Sequence, residues 1–172
     1  MFKVLENGKA PTKGSRYSAG IDLYASEDCI IAAGQTKIIG LGVCIDEIKL
    51  IECVLPLHRE YYVRTGDFKV FKNFYENLFL KSHYLELHPR SSLRAKGLIS
   101  NTGIIDLDYE DEIKIIIHNP IQRFGSFPVL TDEFEIKKGQ KIAQILLKEH
   151  KGYLLGIKSD EERTGGFGST DE

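Results

Sequence analysis

Apolar and polar positions along the chain alternate in short blocks. Runs rich in Ile, Val, Leu, Phe and Tyr recur at 2–5, 21–25, 29–32, 36–40, 42–45, 53–57, 83–87, 113–119, 134–137 and 141–147. Turn-favouring Gly, Asn, Asp or Pro separates them, and a spacing of about ten residues is the signature of a β-sandwich or barrel. The stretches "AAGQ" (32–35) and "KKGQ" (138–141) read as tight turns feeding strands. The pattern predicts an all-β chain. One segment breaks the rhythm: from Asp67, Phe68, Phe71, Tyr75, Leu78 and Phe79 recur at roughly helical spacing, with Asp67 placed to cap. The same region, 61–71, can also be read as a hairpin turning at "TGD". The spacing favours a short helix whose aromatic face packs on the barrel.

Composition narrows the picture. A chain of 172 residues fits one domain with a sizeable core, and 42% apolar with 28% charged residues is ordinary for a globular protein. The net charge of −2 argues against a nucleic-acid partner, which usually demands a basic excess. A phosphate ligand needs only a few local cations and amides. Cys29, Cys44 and Cys53 lack CxxC spacing and read as small buried hydrophobes in a reducing compartment. The start "MFKVLENGKA" has no apolar stretch of signal-peptide length, and no run is long enough to span a bilayer. The expected location is the cytoplasm, without a membrane partner.

Four stretches could carry chemistry. In "PRSSLRAKG" (89–97) an arginine and two hydroxyls follow a strand, suiting phosphate oxygens or merely a solvated turn. In "NTGIIDLDYEDEIKI" (101–115) the acids could be a solvated hairpin. Asp106 differs because the apolar Gly-Ile-Ile before it would hold it near a buried pocket, where a carboxylate can deprotonate water; Tyr109 offers a flat wall. Asp22 in "AGIDLYA" (19–25) reads either as a turn cap or as a magnesium ligand, direct or through water. The tail "RTGGFGST" (163–170) reads as a frayed end or as a phosphate-wrapping strap.

Together with "GQKIAQILL" (139–147), these segments resemble, in order, the five motifs of the trimeric dUTPase family (dUTP pyrophosphatases) from Ala19 to Thr170. The resemblance implies a distorted jelly-roll β-barrel over 1–160 and a flexible nucleotide-closing tail over 161–172; residues at about 58–82 exceed the family pattern and read as a short helical insertion. It implies a homotrimer with active sites shared between subunits, and Mg²⁺-assisted hydrolysis of dUTP to dUMP and pyrophosphate. Asp106 would activate water for in-line attack on the α-phosphorus. Arg90, Ser91, Ser92 and Gln144 would hold phosphates, and Asp22 would hold Mg²⁺ through water. Tyr109 would pack on the deoxyribose, and the main chain from Gly103 through Ile105 to Ile113 would read the uracil edge. Arg163, Gly168, Ser169 and Thr170 would close on the γ-phosphate end while Phe167 stacks on the base.

The chain departs from the family pattern in places. Glu110-Asp111 stands where Arg-Gly is usual, and Asn101 falls one residue closer to Asp106 than in common members. The 58–82 insertion could bind a protein partner. Two alternatives stay open. One is a dCTP deaminase-related enzyme, although "DLDY" (106–109) follows the dUTPase pattern. The other is a phage-type dUTPase acting as a nucleotide-switched regulatory protein.

Overall fold

A computed structural model describes residues 1–46, 49, 50, 53, 79–124, 127–129 and 133–157. Among these the chain is built mainly of short antiparallel strands. In order they are β1 (Phe2–Val4), β2 (Thr12–Lys13), β3 (Ile21–Tyr24), β4 (Cys29–Ile31), β5 (Thr36–Gly40), β6 (Val43–Ile45) and β7 (His83–Pro89). Then come β8 (Gly103–Asp106), β9 (Lys114–His118), β10 (Gln122–Phe124), β11 (Phe127–Val129), β12 (Phe134–Ile136) and β13 (Lys141–Glu149). A five-stranded sheet runs β2-β3-β13-β7-β8, and β1-β6, β5-β9, β4-β12 and β10-β11 form pairs.

The strands follow from period-two patterning. Along β7, Leu85, Leu87 and Pro89 are buried while Tyr84, Glu86 and His88 face outward. Along β9, Ile115 and Ile117 enter the core and Ile116 stays exposed. Leu23, Ile31, Ile39, Ile136 and Ile145 join them in one core. Each such side chain contributes roughly 1.5–3 kcal/mol by leaving water. The two expected turns form at Gly34 and Gly139, both at positive φ.

Two further features set the frame. At Gly8 an added Cβ would lie 1.9 Å from the carbonyl oxygen of Gly42, so the N-terminal loop approaches the β5–β6 turn backbone to backbone. The Gly42 N–H donates to Glu112 Oε1 at 2.8 Å, which assigns one acid of the 108–112 cluster to structure. After Pro89 the chain turns into a short helix, Ser91–Ala95, anchored by buried Leu93. It stops at Gly97 (φ 85), where Gly97 N–H reaches Arg94 O and Leu98 N–H reaches Leu93 O, a Schellman ending.

Several expectations need correction. The strand predicted at 53–57 has one described residue, Cys53, and its backbone is helical, as at Lys49 and Leu50. Asp46 is the cause: its carboxylate accepts from Lys49 N–H at 3.1 Å, capping a helical turn just past β6. Of the cysteines only Cys44 is buried; Cys29 is half-buried and Cys53 exposed. "PRSSLRAKG" forms a helix as well as a turn. Within the 58–82 insertion the described end is a helical turn, Leu80–Ser82. The aromatic segment from Asp67 to Leu78 lies outside the described residues. Among the described residues no helix is long and apolar enough to cross a membrane.

Candidate active site

Asp22, Arg90 and Lys141 meet at one end of the five-stranded sheet. Asp22 on β3 is 2% exposed. Its Oδ1 accepts from Arg90 Nη1 at 2.7 Å and its Oδ2 from Lys141 Nζ at 2.9 Å. An isolated carboxylate at that depth would be costly, and two cations offset the desolvation. The bond to Asp22 pushes the Lys141 ammonium pKa up. Arg90 is held by its backbone, N–H to Ile142 O at 2.9 Å, and its extended φ/ψ launches the helix. Ser91 and Ser92 in the first helical turn are exposed beside it. Gln144 stands directly opposite Asp22 on one side and His88 on the other, so all three share a sheet face. The structure brings these five motif residues into one neighbourhood, with Lys141 beside them.

A slot opens where β8 and β9 part. β8 is the edge of the five-stranded sheet, and β9 pairs with β5 instead. Between them lies a cavity of about 310 Å³, lined by Asn101, Thr102, Gly103, Lys114, Ile116 and His118 among others. A strand edge presents backbone donors and acceptors, which suits recognition of a flat, polar ring edge. Gly103 lies on this slot. Ile105 is half-buried on the same strand. The Ile113 side chain is fully buried, its N–H donates to Val43 O and its carbonyl accepts from Leu41 N–H. Lys114 and Ile115 line the slot.

Asp106 ends β8 and is exposed, not set in a buried pocket. It stands opposite Tyr84 on the outer face of the sheet. On that face Tyr84 Oη donates to Glu86 Oε2 at 2.8 Å, and Glu86 Oε1 contacts His88 Nε2. Tyr109 is 8% exposed within the core, its hydroxyl donating to Glu112 O at 3.3 Å, so only a margin of the ring is left as a wall. Glu110 and Asp111 face solvent, as does Asn101. Arg90 lies six residues along β7 from Tyr84, about 20 Å in an extended strand. Within one chain the carboxylate and the phosphate-type cations are therefore far apart.

Among the described residues no group of three or more His, Cys, Asp and Glu is placed to hold an ion. Asp22 is a single carboxylate with a cation on each oxygen. Arg163, Phe167, Gly168, Ser169 and Thr170 lie outside the described residues.

Comparison with known proteins agrees with these motifs. The family profile of dUTPase matches residues 55–171. The deoxyuridine 5'-triphosphate nucleotidohydrolase of Candida glabrata is 32% identical over 171 residues, covering 96% of this chain and 90% of its own. That of Clostridioides difficile is 31% identical, covering 98% and 94%. Among solved structures, the dUTPase of Staphylococcus aureus phage phi11 superposes with a TM-score of 0.59 at 18% identity, over 98% of this chain and 97% of its own. The phage 80alpha dUTPase with bound dUPNHPP also gives 0.59 at 18% identity, over 100% and 91%. At that identity the likeness concerns the fold, a jelly-roll of β-strands.

Proposed function

Because the chain belongs to the dUTPase family, we propose that it hydrolyses dUTP to dUMP and pyrophosphate in homotrimers whose subunits share each active site. The observation that carries the reading is the division of one set of groups between two ends of the sheet. Arg90, Gln144 and Asp22 stand at one end, and Asp106 lies opposite Tyr84 at the other. A second copy offering its Asp106 to the first copy's Arg90 brings them to one phosphorus.

In that arrangement the parted edges of β8 and β9 hold uracil through Gly103 and its neighbours. The exposed margin of Tyr109 meets the deoxyribose. Arg90, Ser91, Ser92 and Gln144 bind phosphate oxygens. Asp106 orients water and takes its proton as the oxygen attacks the α-phosphorus in line, and pyrophosphate leaves on the opposite side. Fixed cations and amides stabilise the charge that spreads over the phosphoryl oxygens. Mg²⁺, when bound, neutralises the triphosphate; Asp22 would hold its water shell. Arg163, Ser169 and Thr170 close over the γ-phosphate with Gly168, and Phe167 stacks on the base. The reaction limits uracil in DNA and supplies dUMP for thymidylate synthesis in the cytoplasm. Pyrophosphate release with Mg²⁺ is the direct test across dUTP, dTTP, dCTP and UTP. Release from dUTP alone is expected; ammonia from dCTP would replace the proposal with deamination.

A further inference from the structure

We propose that Lys141 is a second phosphate-binding cation of this site, held ready beside Arg90 by their shared carboxylate, Asp22. The inference rests on the dUTP-hydrolysing reading and adds a residue to it. Regular alternation along β13 sends Ala143 and Ile145 into the core and Gln144 outward beside Asp22. Continued backwards, it would point Lys141 toward the core. Instead the register breaks: Lys141 stands opposite Tyr24 and Ala143 opposite Leu23, so two steps of β13 answer one step of β3. Such a bulge bends its strand and re-aims a side chain. Here it delivers the ammonium to Asp22 Oδ2 at 2.9 Å.

The surroundings fix it there. The Lys141 ammonium lies 5.9 Å from the ring centroid of Tyr24, within cation–π range. Tyr24 is 3% exposed, and its hydroxyl is 2.5 Å from Thr12 Oγ1. Two cations on one carboxylate leave the cluster a net charge of +1. They sit on the two oxygens of that carboxylate, hence a few ångströms apart, as are oxygens on neighbouring phosphoryl groups. An ammonium has three donors and a guanidinium five, so bonds to Asp22 leave further donors on each. Those donors sit toward solvent: the Arg90 and Lys141 side chains are 35% and 45% exposed against 2% for Asp22.

A merely structural Lys141 would only neutralise Asp22, and substitutions separate the two roles. Lys141→Gln keeps a donor for Asp22 but loses the charge, Lys141→Met loses both, and Lys141→Arg keeps both. Calorimetric titration of the full chain with inorganic pyrophosphate is expected to show about tenfold weaker binding for Gln and Met, the worth of one charge-assisted contact. Arg should restore it, and deoxyuridine binding should not change. Wild-type pyrophosphate affinity in Lys141→Gln would overturn the proposal, as would an equal loss of deoxyuridine binding. If Lys141→Met fails to fold, the Gln and Arg variants decide alone. Absence of dUTP turnover by the wild-type protein would remove the enzymatic reading, while pyrophosphate binding would still judge Lys141.

Discussion

Asp106 sits exposed at the end of an edge strand, and its neighbours explain why it suits chemistry better than packing. The Tyr109 N–H closes a turn onto its carbonyl at 3.2 Å, leaving the carboxylate on the outer sheet face. A general base there contributes about 10²–10⁴-fold. Asp106→Asn keeps the shape and removes the proton acceptor. Turnover should fall by that range with dUTP affinity retained, measured by single-turnover kinetics beside equilibrium titration. Wild-type rates would move the base elsewhere. Its fellow acids divide by what they touch: Glu112 bonds the Gly42 amide, whereas Glu110 and Asp111 face water.

At the scale of elements, two predictions concern how strands are held. Gly8 and Gly42 leave no room for a side chain, since a Cβ on Gly8 would overlap the Gly42 carbonyl. Gly8→Ala should cost about 1–3 kcal/mol by forcing backbone apart, read as a lower thermal midpoint. The outer face of β7 carries the second. The hydrogen bond from Tyr84, and then that from His88, holds the Glu86 carboxyl below the usual carboxylate range. Because ionised Glu86 is favoured by folding, its stabilisation is present above the ordinary glutamate pKa of about 4.3 and fades as pH falls through the lowered value. Glu86→Gln should therefore lower the urea midpoint at neutral pH, with the gap closing in acid. A gap that stayed constant with pH would refute the linkage.

For the whole molecule the decisive quantity is the length of β7 between Arg90 and Tyr84. If active sites are shared, two dead variants can repair each other. Arg90→Ala and Asp106→Asn, each inactive alone, should regain dUTP turnover after being unfolded and refolded together, because mixed assemblies contain sites with both residues intact. No recovery, in mixtures shown by sedimentation to be trimeric, would refute the shared site. Removing 163–172 should cut turnover and leave assembly unchanged.

Much of this was legible in the residues. Short apolar runs at 83–87, 113–119 and 141–147, bounded by turn residues, marked β7, β9 and β13, because strand-forming residues and turn-formers are properties of the local chain. The motifs around Asp22, Arg90, Asp106 and Gln144 identified the family, because residue type and order are properties of the chain. Other features depend on which segments become neighbours. Lys141 lay inside the motif "GQKIAQILL" with no role assigned to it; a bulge in register with β3 aimed it at Asp22. The backbone bonds of Ile113 to Leu41 and Val43 likewise appear only once β5, β6 and β9 come together. The sequence by itself determined most of the strands and the motifs that identify the family. The tertiary structure alone decided which backbone groups were already paired, which way a bulged side chain turned, and that Arg90 and Asp106 stand too far apart to meet within one chain.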